Sequence, residues 1–177
     1  MLPELRSIVT PRHPGVTTAV SASFTEAAEV CLARHHNPPM TRLSINCCGN
    51  LSIKTLNWTS PSDTAMRAWN NRDDATRDGA YIVSLAAVEA ELGVVALSRA
   101  ETRTGADYYV GNPNAIDLEE AYRLEVSGTD AGDTSELRNR LRKKQKQALA
   151  GDSTLPAYAS IVGFREAQIL ISLVEDK

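Results

Sequence analysis

Long apolar runs are missing from the sequence. No stretch reaches the length of a membrane-spanning helix, and the first residues, with Pro3, Glu4, Arg6 and Pro11, lack the apolar centre of a secretion signal. Cysteine is also scarce. The three present, Cys31, Cys47 and Cys48, make an odd number without metal-ligand spacing, and the adjacent pair suits neither an unstrained mutual disulfide nor a zinc knuckle. A soluble protein of the reducing cytoplasm is therefore expected. Nor is there a large excess of charge: a net −3 argues against holding nucleic acid by bulk electrostatics, so any such contact needs a local basic surface. Internal repeats, low-complexity segments, a P-loop, a dinucleotide fingerprint and a Gly-x-Ser-x-Gly elbow are absent too, which sets aside solenoids, the common nucleotide-binding classes and serine hydrolases of that type.

What is present is the composition of an ordinary globular chain. Its 177 residues are 42% hydrophobic and 23% charged, enough for one substantial core and marginal for two. One compact domain is expected, with residues 1–75 as an arm, helix and β-hairpin elaboration packed on a core formed by residues 76–177.

The Pro-rich start, ending at Pro14-Gly15, reads as an arm ordered only by packing on something else. Ser23 and Glu26 form a capping-box pattern that opens a helix to about Arg34, with Phe24, Ala27, Ala28, Cys31 and Leu32 on its apolar side. Residues 43–46 and 51–58 read as a hairpin about a Gly49-Asn50 turn. Ser60-Pro61-Ser62-Asp63 starts a short helix carrying Met66 and Trp69, which breaks in the polar stretch Asn70 to Asp74. From about Thr76, Tyr81, Leu85, Val88 and Leu92 recur on one face of a packed helix that Gly93 ends. Strands are expected at 94–101, 106–110 and 121–127. A helix capped by Asp133 with Glu136 follows, to about Ala150, and then strands at 158–164 and 168–174.

On the third of these core strands Arg123, Glu125 and Ser127 fall on one side and Leu124 and Val126 on the other. Asp107, on the preceding strand, can share a face with Glu125 only if the register agrees. Two carboxylates plus a strand carbonyl such as that of Val126 make the partial oxygen shell that Mg²⁺ prefers. The following helix is densely basic, and Arg140, Lys144 and Gln147 share one of its faces.

The order helix, three strands, helix, two strands, with Asp107 in Gly105-Ala106-Asp107-Tyr108 and Glu125 in Leu124-Glu125-Val126-Ser127-Gly128, resembles the core of the PD-(D/E)XK, restriction-endonuclease-like superfamily. The similarity spans roughly residues 76–174. The same two strings are similar to ones in bacterial proteins, which suggests a family without adding a function. The resemblance implies an α/β fold, a mixed sheet flanked by helices, and a Mg²⁺- or Mn²⁺-dependent nuclease or phosphodiesterase acting on DNA. Asp107, Glu125 and the Val126 carbonyl would be its metal ligands. Where the family has lysine two residues after the acid, this chain has Ser127. Many relatives carry the lysine on a nearby element, which makes Lys144 the expected catalytic cation with Lys143 as its competitor. Arg140, Lys143, Lys144 and Gln147 would then contact nucleic acid. The first core helix of the family often supplies a further acid, here Asp78 in the first turn, with Glu89, Glu91 and Glu101 as competitors.

Plainer readings accompany each feature. Asp107 can end a turn, Glu125 can pair with a cation across the sheet, and the basic helix can be a solvated face. Surface positions are expected for His13, His35 and His36, a core position for Cys31, and packing roles for Trp58 and Trp69. The alternative to a nuclease is a catalytically silent module of the same fold that binds a partner protein or nucleic acid, since Ser127 replaces the motif lysine. Oligomeric state is not legible.

Overall fold

Seven strands line up in one mixed sheet in the order β2-β1-β7-β6-β5-β4-β3, flanked by helices on both faces, in a computed structural model that describes residues 1–115 and 117–174. Residue 116 and residues 175–177, within the expected core range, lie outside the described residues. The strands are β1 (Met40–Cys47), β2 (Asn50–Asn57), β3 (Val95–Arg99), β4 (Tyr108–Gly111), β5 (Tyr122–Thr129), β6 (Ala157–Gly163) and β7 (Gln168–Val174), and the helices are α1 (Thr18–Ala33), α2 (Asp63–Ala68), α3 (Arg72–Leu92) and α4 (Thr134–Leu149). Among the described residues no helix is long and apolar enough to cross a membrane.

The period-2 pattern of the strands decides which helix covers which face. Leu124, Val126, Val162, Ile169 and Ile171 belong to the large core that α3 and α1 cover, with Ile82, Leu85, Ala86 and Cys31 opposite. The alternate positions Ala157, Ala159, Ile161, Leu170 and Val174 meet Leu137, Leu141 and Ala148 of α4 on the other face. A polar link, Ser84 Oγ to Ser160 Oγ at 2.8 Å, pins α3 to β6 within the core.

Several boundaries differ from those read off the sequence, each for a local reason. Helix α1 starts at Thr18 because the Thr17 side chain accepts from the Val20 N–H; Ser23 and Glu26 lie inside it, and Glu26 accepts from the Trp69 indole at 2.9 Å. Helix α3 starts at Arg72 rather than Thr76, since Asn71 accepts from Asp73 and Asp74 N–H and both acids favour the positive end of the helix. The hairpin turns on Cys48-Gly49, both at positive φ (51° and 88°), with Cys47 paired to Asn50. Nor is that hairpin merely packed on the core: β1 joins the core sheet itself by parallel pairing with β7, Ser44 opposite Gln168.

The N-terminal segment packs closely, with Leu2, Leu5, Ile8 and Val16 buried. His13 is fully buried, not on the surface as its sequence context suggests. Its Nδ1 accepts from the Ala96 N–H at 3.1 Å, so the proton sits on Nε2, facing Glu89 at 3.0 Å. The histidine thereby supplies a backbone N–H of β3 with an acceptor. His35 and His36 are half-buried, bonded to Asp130 and to the Phe164 carbonyl respectively.

Candidate functional site

Strands β4 and β5 pair over only three positions, Tyr108 with Leu124 through Val110 with Tyr122. One residue further, just before the first residue of β4, the regular pairing has ended, and the Asp107 N–H donates to the same Leu124 that Tyr108 faces, at 2.8 Å from its carbonyl. There the strands part. Strand β5 continues to Thr129, and its edge beyond Leu124 has no β4 partner. The first N–H of that freed edge, on Val126, is taken by Asp107 Oδ2 at 2.8 Å. A strand residue's N–H and C=O point the same way, so the Val126 carbonyl faces this side too. The other oxygen, Asp107 Oδ1, accepts from the Tyr81 hydroxyl of α3 at 2.9 Å. A side chain at the mouth of the split thus ties β5 to α3.

Glu125 is 3% exposed and faces α4, where Lys144 Nζ donates to its Oε1 at 2.5 Å. Burial pushes the Glu125 carboxyl above the ordinary carboxylate range. The Lys144 ammonium pulls it back in part, and the adjoining Asp107 carboxyl raises it again. Two cations face these acids at this corner, Lys144 at Glu125 and the Arg99 guanidinium 3.9 Å from Asp107 Oδ1.

Lys144 reaches this corner because α4 is fixed at both ends. Asp133 caps its start by accepting from the Glu136 N–H. Near its end the buried Arg123 guanidinium donates to the Ala148, Thr104 and Leu155 carbonyls, each at 2.8 Å, locking α4 to β5 and to the loop before Asp107. Between these anchors Leu137, Leu141 and Ala148 turn to the sheet, which leaves Arg140, Lys144 and Gln147 along the adjoining flank.

Two clefts meet at the acid pair. The first, about 730 Å³, runs between α3 and α4 past Arg72, Arg77, Tyr81, Gly128 and Arg140. The second, about 660 Å³, lies beside Arg99, Arg103, Glu125, Gln147 and Gly151. Asp107 and Lys144 line both. Gly128 sits where it does because a Cβ there would stand 2.7 Å from the Thr76 carbonyl oxygen, so only glycine lets α3 lie this close to β5.

The structure brings together Asp107, Glu125, Val126 and Lys144, with Arg140 and Gln147 alongside; Lys144 Nζ also lies 3.2 Å from Gln147 Oε1, and Arg140 pairs with Glu136. It leaves two expected residues out. Asp78 is in the second turn of α3, not the first, and its carboxylate is taken by Arg77 Nε at 2.8 Å; it lines neither cleft. Lys143 points outward, exposed, one position round the helix from the flank that faces the acids. The competing acids have their own partners: Glu89 holds Arg12 and His13, Glu91 holds Ser52 and Lys54, and Glu101 accepts from the Tyr109 hydroxyl. Among the described residues no group of three or more His, Cys, Asp or Glu side chains is placed to hold a metal ion.

Sequence reading missed two members of the site. Tyr81 was read as part of an apolar helix face, yet a buried tyrosine hydroxyl needs a partner, and an acid one strand away was the available one. Arg99 sits on an expected strand with nothing local to mark it; its guanidinium carbon is 4.3 Å from the Tyr81 ring centre and 4.7 Å from that of Tyr108.

Fold and site together define an α/β protein with a carboxylate pair and a lysine at the point where two strands of a mixed sheet separate. No family model, curated protein or solved structure matches the chain.

Proposed function

We propose that the chain is a metal-dependent nuclease, a phosphodiesterase acting on DNA, with Asp107 and Glu125 as the acids and Lys144 as the catalytic cation. The observation that carries this is the cleft that Asp107, Glu125 and Lys144 line together, with Asp107 bonded to the N–H of Val126, next to Glu125, and the Lys144 ammonium at 2.5 Å from Glu125 Oε1. Further support comes from the element order α3-β3-β4-β5-α4-β6-β7, the order of the restriction-endonuclease-like core to which the sequence is similar. The donor set also fits the ion: two carboxylates and the Val126 carbonyl are hard oxygen ligands, suited to a cation that keeps several waters. The three thiols, none in a disulfide, suit a reducing cytoplasm.

A bound Mg²⁺ or Mn²⁺ supplies acidification of a water and stabilisation of charge on the phosphoryl oxygens. The chain's own residues do the rest. Tyr81 and the Val126 N–H hold both oxygens of Asp107, so its carboxylate is oriented before any ligand arrives. Lys144 favours the ionised form of Glu125 against the burial that disfavours it, and carries N–H donors that can orient an attacking water or meet charge on the phosphate. Arg140 and Gln147 flank it and contact the strand on either side.

The test is cleavage of single- and double-stranded DNA with Mg²⁺ and with Mn²⁺, by wild type and by Asp107→Asn, Glu125→Gln and Lys144→Met. Wild-type cleavage should fall about 100-fold or more in each variant. A folded wild type that cleaves neither substrate with either metal overturns the proposal.

One observation favours the second reading, a silent module that binds nucleic acid or a protein partner. Lys144, the cation that would have to replace the motif lysine where Ser127 stands, already donates to Glu125 Oε1, as a structural ion pair would. Absence of metal affinity together with a stable complex formed through the N-terminal third would select it.

A further inference from the structure

We propose that Arg99 forms a phosphodiester-binding subsite on the far side of the acid pair from Arg140. It would grip the sugar-phosphate backbone where the strand leaves the acids along the second cleft. The inference rests on the nuclease reading and adds to it a residue, a ligand group and a path for the strand.

Three features of Arg99 carry it. First, its guanidinium lies over two aromatic faces at once, 4.3 Å from the centre of Tyr81 and 4.7 Å from that of Tyr108, while those rings meet edge to face at 5.9 Å. Two π systems hold the cation in place, and its several N–H donors exceed what the two rings can engage. Second, its nearest carboxylate oxygen, Asp107 Oδ1, is 3.9 Å away, beyond hydrogen-bond length, and already accepts from Tyr81. Unlike Arg77 and Arg140, whose guanidinium groups are hydrogen-bonded to carboxylates, Arg99 is held against the rings with only this longer ion pair to Asp107. Third, about half of its side chain is open to solvent, in a cleft that shares Asp107 and Lys144 with the cleft on the other side.

Immobilised, charged, exposed and beside the reacting centre, such a group matches an anion with acceptor oxygens in a plane, as a phosphodiester presents. The acid pair lies between the two clefts rather than at the closed end of one. A strand can therefore enter past Arg77 and Arg140, cross the acids and leave past Arg99. Rings that fix the arginine have their hydroxyl and backbone tied to Asp107 and to β4, so grip and acid share one rigid support.

The experiment is equilibrium binding of a fluorescent single-stranded oligonucleotide at several salt concentrations in EDTA, where metal-dependent cleavage is off. Each phosphate contact contributes about 0.7 to the slope of log affinity against log salt for single strands. Arg99→Met should lower that slope by about 0.7 and weaken binding several-fold. Arg99→Lys keeps the charge but not the planar stack, so it should retain the slope while still binding several-fold more weakly. Arg142→Met, on the exposed side of α4, should leave both near wild type and controls for general charge. An Arg99→Met protein that melts like wild type and binds with unchanged slope and affinity overturns the subsite, as does a wild type that does not bind the oligonucleotide. Binding that responds to Arg99 as described, in a protein that never cleaves with Mg²⁺ or Mn²⁺, would uphold the subsite while the catalytic reading fails.

Discussion

Lys144→Met should destabilise the protein in a manner that depends on pH and vanishes when Glu125 is also replaced. Breaking a fully buried ion pair costs about 3–5 kcal/mol, because the surviving charge is left without a partner. Here the side chain of Lys144 is 23% exposed and that of Glu125 4%, and Glu125 can escape its charge by taking up a proton. The expected loss at pH 7 is therefore about 2 kcal/mol. Burial, with Asp107 adding to it, raises the carboxyl of Glu125 in the folded protein, and removal of Lys144 takes away the influence that lowers it. In the window above the unfolded glutamate value of about 4.3, the native state then binds more protons than the unfolded chain, so stability falls as pH rises, by up to about 1.4 kcal/mol per unit for one group. The cost of Lys144→Met should thus be under about 1 kcal/mol near pH 5 and grow toward pH 8, and in a Glu125→Gln background it should be small and flat. Urea unfolding followed by circular dichroism at pH 5, 6, 7 and 8 measures all four proteins. A cost that is constant across this range, or just as large in the Glu125→Gln background, would refute the account of the acid corner.

Tyr81→Phe removes a donor to Asp107 at 2.9 Å and should cost about 1 kcal/mol in urea unfolding, with a fall in any cleavage rate at unchanged substrate affinity. His13 titrates below its ordinary range because burial disfavours its charged form, so it contributes stability above about pH 6.5 that is lost as pH falls. His13→Gln should therefore lower the melting temperature more at pH 7 than at pH 5, and an equal drop at both would count against the buried neutral imidazole. Gly128→Ala would set a Cβ 2.7 Å from the Thr76 carbonyl oxygen and 2.9 Å from Ala80, and should destabilise by about 1–3 kcal/mol by forcing α3 off β5. A change of less than about 0.5 kcal/mol would mean that the two elements slide apart freely.

Elements with a strong period were legible in the sequence and those set by a cap or a partner were not. The span of β7 and the Asp133 cap of α4 were read correctly, since alternation and a capping pattern are local. The start of α1 was misplaced because Ser23-Glu26 imitates a capping box inside a helix that Thr17 had already opened. The burial of His13 left no local trace, for its partners Glu89 and Ala96 are far along the chain. For the candidate site, alternation along β5 and spacing along α4 were enough to point Glu125 and Lys144 toward each other, while Asp107 joins them from the segment just before β4. They were not enough to show that Arg77 bonds Asp78, or that two rings from α3 and β4 meet at Arg99.

The pairing of β1 with β7 sets an order on the making of this protein. During synthesis the hairpin leaves the ribosome well before the strand that completes its inner edge, which follows only after three helices and four further strands. Until then Leu43, Ile45 and the open backbone of β1 must wait unpaired, an adhesive surface for any other growing chain. A nascent polypeptide arrested before Gln168 should therefore be the species that clumps or calls on a chaperone, while the finished one does not.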